Sequence, residues 1–280
     1  MQKIQLKNRR IAIATMHAKE KVIAPLLEKH FELTCAVPNI NTDALGTFSG
    51  EIKRVGSPLD TARKKCKMAM ELTGYDLAVS SEGSFGAHPY IPFISADEEL
   101  VVIMDSKNDF EIIGRELTTE TNFNGSAVKS LEEALEFAKR VSFPEHGLII
   151  REKEHAEAFY KGVSDPTQYI EIIQDLLLNN SEIWVETDMR AMFNPTRMRA
   201  IEKATKDLIA KLESFCPICQ FPGFWVTKAL PGLPCSLCNM PTKSTSEYVY
   251  GCLKCDYSES KIHPHGKMVE DPTYCDFCNP

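Results

Sequence analysis

Residues 76–89 read DLAVSSEGSFGAHP, and the fold turns on how the chain leaves the apolar run Leu77-Ala78-Val79. Three consecutive apolar residues of this kind suit a short buried strand, whereas Ser80, Ser81, Gly83, Ser84, Gly86 and Pro89 carry turn chemistry. The spacing therefore predicts a strand over 76–80 that ends in a glycine-serine turn. Glu82 is the only acid on that turn. Glycines at 83 and 86 would permit positive φ and a close backbone approach, so Glu82 could meet a ligand or a Mg²⁺ ion.

Working outward, short apolar runs alternate with helical stretches. RIAIAT (10–15) reads as a buried strand and residues 19–30 as a helix with Val22, Ile23, Leu26 and Leu27 on one face, although Pro25 lies inside it. A second strand is expected over 31–37 and a loop over 38–56. Ser57-Pro58-Leu59-Asp60 supplies an N-cap, a proline at the first helical position and an acid at the third, which starts a helix running to about residue 73. Runs at 100–105 and 110–117 flank SKND as a hairpin. Beyond Gly125 the pattern predicts a helix to about 141, a strand at 146–151, a helix at 166–179, a strand at 182–187, and a last helix opening at Asn194-Pro195. Strands alternating with helices, with one hairpin, define an α/β domain with a mixed sheet flanked by helices over 1–214.

The remaining 215–280 are of another kind. Eight of the ten cysteines form four Cys-x-x-Cys pairs: Cys216/Cys219, Cys235/Cys238, Cys252/Cys255 and Cys275/Cys278. Two thiolates separated by two residues can turn through a tight knuckle and place both sulfurs about 2.3 Å from one tetrahedral zinc ion. The pairs are separated by 15, 13 and 19 residues, spacings that suit zinc ribbons. Eight ligands imply two structural zinc ions. The first pair could join the second and the third the fourth; alternatively the middle two pairs could form one site and the outer two close around it. From Lys211 onward six lysines and no arginine face seven acids, and each zinc held by four thiolates adds a further negative charge. Protein contact, or support of the first domain, is therefore expected of this module rather than nucleic-acid binding. Phe221, Phe224 and Trp225 could form a contact patch or pack around a knuckle.

The composition agrees. A formal net charge of -7 argues against long nucleic acid, and no apolar run approaches the roughly 20 residues that cross a bilayer. A cytoplasmic protein is expected. A small phosphorylated ligand remains compatible, since a few cations and a helix start suffice to hold one.

Three clusters fall at the C-terminal ends of strands, where open α/β sheets bind ligands. ATMHAKE presents Thr15, His17 and Lys19 at a helix start. SSEGSFGAHP presents Glu82, Ser84 and His88. VETDMRAMFNPTRM presents Glu186 and Asp188 at alternate strand positions, hence on one side, with Arg190, Asn194 and Arg197 around the next helix start. Glu82, Asp188 and Glu186 are the candidate catalytic and Mg²⁺-binding carboxylates; Thr15, His17, Lys19, Ser84, His88, Arg190, Asn194 and Arg197 are the candidate ligand-binding residues. Cys35 and Cys66 lie in apolar contexts and read as core.

SEGSFGAHP, ETDMRAMFNPTRM and CPICQFPGF resemble an uncharacterised bacterial family that joins an α/β domain to a cysteine-rich tail. More remotely, IAIATMHAKEKVIAPLL, SPLDTARKKCKMA, DLAVSSEGSF and NPTRMRAI are similar to segments of the inosine/xanthosine triphosphate pyrophosphatase superfamily. His17 departs from that superfamily's usual asparagine, its Asp-Asp-Ser-Gly turn is absent, and a zinc tail is not part of its pattern. That resemblance implies a Mg²⁺-dependent hydrolase of a nucleotide or other small phosphorylated compound, with Lys19 on the triphosphate, Glu82 serving the metal and Arg197 facing the base or phosphate. The alternative expectation is a ligand sensor or adaptor that does no chemistry and recruits a protein through its zinc module.

Overall fold

A computed structural model describes residues 5–40 and 56–280; most of the stretch expected as a loop lies outside them. The chain divides into two compact units, Leu6–Ile209 and Ala210–Pro280.

The first unit opens with β1 (Arg10–Ala14), α1 (Glu20–Phe31), β2 (Thr34–Ala36), α2 (Pro58–Thr73), β3 (Leu77–Ala87), β4 (Ser95–Asp105) and β5 (Phe110–Thr118). Their strands form one mixed sheet in the order β2-β1-β3-β4-β5. β2 and β3 run parallel to β1, and β4 and β5 add an antiparallel meander. Helix α2 begins as its sequence dictates: the Ser57 hydroxyl accepts from Asp60 N, the Asp60 carboxylate reaches back to Ser57 N, and Pro58 fills the first turn. Its buried face, Ala62, Cys66 and Ala69, packs on alternate residues of the sheet such as Ala12, Ala78 and Val102. The Cys66 thiol, desolvated there, is pushed up to about 12, as befits a core residue. Helix α1 continues through Pro25, with Ile23 and Leu27 wholly buried.

The segment DLAVSSEGSFGAHP does not turn after Ser80, as its serines and glycines predict; β3 continues to Ala87 and pairs with β4 along its whole length, from Leu77↔Asp105 to Ala87↔Ser95. Ser and Gly weaken an isolated strand, but a partner strand on each side supplies the ladder bonds over its first half and β4 alone over the rest. Gly83 is not in the left-handed region, and Gly86, at φ 159°, lies at the edge of extended backbone.

The last strands form a second sheet. β6 (Gly125–Val128), α3 (Leu131–Arg140), β7 (Leu148–Arg151), β8 (Ala158–Val163), α4 (Pro166–Asn179) and β9 (Ile183–Thr187) make an antiparallel sheet of order β6-β9-β7-β8. Strand alternation sends Leu148, Ile150, Ile183 and Val185 into a core with Phe137, Tyr169 and Ile173 of α3 and α4. The alternate residues, Ile149, Arg151, Trp184 and Glu186, point to the other face. Helix α5 (Pro195–Glu213) then lies along β5, where Arg115 N donates to Asp207 Oδ2 at 2.8 Å.

In the second unit β10 (Trp225–Pro231), β11 (Thr245–Gly251) and β12 (Ser258–Ile262) form an antiparallel sheet in that order. Phe221 and Phe224 are buried, Phe224 against Tyr250 and Tyr257, so they pack around a knuckle instead of forming a surface patch.

Candidate functional site

The eight paired cysteines gather into two clusters, Cys216, Cys219, Cys252 and Cys255 in one and Cys235, Cys238, Cys275 and Cys278 in the other, with all four sulfurs of each within 4.8 Å of one another. The first pair joins the third and the second joins the fourth. Both the sequential and the nested pairing are thereby replaced by an interleaved one, for a steric reason: the antiparallel ladder Trp225↔Gly251 brings the knuckle after β11 beside the one before β10. Sulfur separations across the pairs are 3.7 and 3.5 Å in one cluster and 3.8 and 3.6 Å in the other. A tetrahedron with metal–sulfur bonds of about 2.3 Å has edges of about 3.8 Å, so both clusters fit an ion such as zinc. The thiols of the second set are perturbed unevenly: backbone N–H groups of Cys238 and Leu237 hold Cys235 down to about 7, while the neighbouring Cys238 sulfur and desolvation push Cys278 up to about 12. Four protein ligands would leave no position for water on an ion held there, as in a structural site.

The strand-end clusters separate into two groups. Lys19, Glu82 and Arg197 meet inside the first unit, together with Lys65, Asp97 and Glu99: three cations and three carboxylates, all nearly excluded from solvent. Lys65 is ion-paired with Glu82. Lys19 Nζ donates to Ser81 O at 3.0 Å. Arg197 Nε donates to Glu99 Oε1 at 2.6 Å, its Nη1 donates to Met189 O at 2.5 Å, and its guanidinium lies 5.0 Å over the Phe85 ring. Glu82 is thus a buried strand residue and not an acid on an open bend. Gly83 explains itself here, since a Cβ at that position would stand 2.2 Å from Glu99 Oε1 and 2.8 Å from Arg197 Nη2. The backbone is bare to admit an internal ion pair.

Burial perturbs this group strongly. Desolvation, then the Arg197 charge, lower Lys19 to about 7 against the pull of Glu99 and Glu82. Desolvation, then the Glu99 charge, raise Asp97 to about 8; neither Asp97 oxygen has a hydrogen-bond partner among the described residues. The folded state therefore holds the Asp97 proton that the unfolded chain releases between about pH 4 and 8, and stability falls as pH rises through that window. Lys19 acts oppositely above about pH 7, where the unfolded chain binds more protons. Asp97→Asn removes the first effect. Its melting temperature relative to wild type should climb from pH 5 to pH 7 in thermal unfolding experiments; a difference independent of pH would refute the assignment.

The third cluster faces elsewhere. Glu186, Asp188 and Arg190 line a cavity of ≈ 510 Å³ together with Arg151, Trp184, Phe85 and Phe123. This is the helix-free face of the second sheet. Gly125 makes room for the indole, as a Cβ there would stand 2.5 Å from Trp184 Cζ2. Arg151 Nε and Nη2 donate to Glu186 Oε1 at 2.9 and 2.8 Å, and Trp184 Nε1 donates to Oε2 at 2.8 Å. Phe85 and Phe123 stack with centroids 5.9 Å apart. Phe85 is the link to the ionic group, touching Arg197 below and the cavity above.

The other candidates lie apart from this cavity's lining. Asn194 caps α5, its Oδ1 accepting from Arg197 N at 3.0 Å. Thr15 is buried and its hydroxyl accepts from His17 N at 3.4 Å. Ser84 is exposed, and His88 contacts the Tyr90 ring near the tip between β3 and β4. Among the described residues only the two cysteine sets gather three or more potential metal ligands; Glu82, Asp188 and Glu186 do not.

Sequence reasoning missed Lys65, Asp97, Glu99, Arg151 and Trp184. Lys65 was readable, because it falls on the buried face of α2 with Thr61, Ala62, Cys66 and Ala69. The acid run Asp97-Glu98-Glu99 gave no such signal, since strand alternation buries its first and third members only once a sheet and a helix cover that face.

Fold and clusters define a mixed α/β protein with two four-cysteine centres, and among the described residues no helix is long and apolar enough to cross a membrane. The chain belongs to the family described as a domain of unknown function (DUF6671), whose model matches residues 65–280. A search of curated proteins finds no match.

Proposed function

We propose that the first unit binds a small phosphorylated compound with a planar ring, a nucleotide or a relative of one, in the cavity beside β9. The observation that carries this reading is the lining itself. Phe85, Phe123 and Trp184 offer faces for a ring, and among the ion pairs of the lining, Arg151 with Glu186 and Arg190 with Asp188, the partly exposed Arg190 offers positive charge to an anion. The cysteine-rich unit, zinc-held and acidic in sum, supports a role in protein contact: Ile218, Leu237, Leu253 and Phe277 stand exposed, one on each knuckle. Eight thiolates kept for metal suit a reducing, cytoplasmic setting.

The test is a thermal-shift and calorimetric panel of nucleosides and their mono-, di- and triphosphates. At least one phosphorylated member is expected to raise the melting temperature, since ligand at a hundred times its Kd contributes about 2.7 kcal/mol. A panel without any shift at millimolar concentration overturns the reading.

Hydrolysis is the second reading, favoured by three carboxylates, Glu154, Glu186 and Asp188, and two arginines converging on one cavity and by the remote resemblance to nucleoside triphosphate pyrophosphatases. In it Mg²⁺ arrives on the triphosphate, and Glu186, whose Oε2 accepts from Trp184, orients water. Release of phosphate or pyrophosphate with Mg²⁺, abolished in Glu186→Gln while binding persists, supports it; binding without turnover leaves the sensor or adaptor.

A further inference from the structure

We infer that Asp188 is a positioning residue that fixes Arg190 as the anion receptor of the cavity. The inference rests on the reading that the cavity takes a phosphorylated ring compound. Asp188 is fully buried, and its acceptor positions are filled from one residue. Oδ1 accepts from Arg190 N and Nε, each at 3.0 Å, and Oδ2 accepts from Nη2 at 2.6 Å with Nε at 3.1 Å. Backbone and side chain of Arg190 are thereby tied to one carboxylate two residues earlier. The other face of the guanidinium lies 4.7 Å from the Phe193 ring centroid.

A long side chain that would otherwise sample many rotamers is held in one plane from an edge and a face. What the clamp leaves over is informative. Arg190 is 23% exposed in its side chain, lines the cavity, and commits Nε and Nη2 to Asp188, while Nη1 has no hydrogen-bond partner among the described residues. Two N–H bonds of a pre-oriented guanidinium then meet an incoming oxyanion without the entropy cost of ordering the side chain. Arg151 is not equivalent: beside the Nε and Nη2 bonds to Glu186, its Nη1 donates to Ala156 O at 2.5 Å, and its side chain is only 5% exposed. Asp188 with all its lone pairs engaged is poorly suited to ligate an ion, so the carboxylate acts through the arginine.

Two probes separate this inference from the broader reading: inorganic phosphate, monitored by ³¹P line broadening, and matched nucleoside and nucleotide pairs in calorimetry. Wild type is expected to bind phosphate and to favour the phosphorylated member of a pair at least tenfold. Asp188→Asn and Arg190→Lys should both erase that preference and leave nucleoside affinity within twofold, a pattern that a merely structural role would not produce. Because loss of the clamp could loosen the fold, Arg190→Ala with added methylguanidinium supplies an independent readout, restored phosphate broadening being expected. Phosphate binding that depends on Asp188, with no nucleotide binding, would sustain the inference and end the proposed ligand class. Undiminished phosphate preference in Asp188→Asn overturns the inference, as does equal weakening of nucleoside and nucleotide.

Discussion

Cys219→Ser is expected to lose one metal ion outright and to loosen the other at least tenfold. The reason is the interleaved pairing. The loop closed by Cys216 and Cys255 contains the knuckle Cys235/Cys238, and the loop closed by Cys235 and Cys278 contains the knuckle Cys252/Cys255. Strand β11 lies on the segment common to both loops, so each ion fixes backbone that the other needs. Structural zinc binds with an apparent free energy of about 10–16 kcal/mol, and in a small module that energy is folding energy. Little else could replace it: β12 is exposed along its length, and knuckle residues such as Leu237 and Phe277 face outward. Metal content by mass spectrometry should give two zinc ions per chain for wild type. For the variant it should give no more than one, released by a competing chelator at lower concentration. A variant that retains one ion with unchanged affinity would show that the two centres are independent, as sequential pairing would have made them.

The same cysteines show where sequence reading succeeds and where it stops. A Cys-x-x-Cys pair is a local object whose two sulfurs are set by three peptide units, so the ligands were legible one knuckle at a time. Which knuckles share an ion is decided by the β10–β11 ladder, a non-local contact that spacing does not encode. Helix α2 was legible for the local reason, because Ser57, Pro58 and Asp60 settle its start among themselves. β3 was not. Gly83 and Ser84 look like punctuation in one dimension, and only the arrival of β4 and of Arg197 from α5 turns them into strand. The candidate site divided along the same line: alternation along β9 sets Glu186 and Asp188 on one side from sequence alone, and both line the cavity, whereas the destination of Glu82 depended on four other segments of chain.

Glu99→Ala should be among the most destabilising single changes in the first unit, costing about 3–5 kcal/mol. Glu99 and Arg197 are both wholly buried, and removing one partner of a buried pair strands the other's charge in a poorly solvated interior. Arg197 cannot swing out to water, since Met189 O, Asn194 and the Phe85 ring fix its guanidinium and backbone. Gly83→Ala attacks the same pair from the other side. Its methyl would overlap Glu99 Oε1 and Cδ, at 2.2 and 2.7 Å, and these atoms belong to a side chain without room to retreat. Overpacking alone costs about 1–3 kcal/mol, and displacing the carboxylate from Arg197 adds to it. Chemical denaturation of the two single variants and the double variant separates the effects. Once Glu99 is alanine the methyl has nothing to strike, so Gly83→Ala should cost much less in that background, a coupling of at least about 1 kcal/mol. Additive losses would mean that Gly83 and Glu99 do not share the space that this ion pair occupies, and the explanation for the bare backbone at that position would be lost.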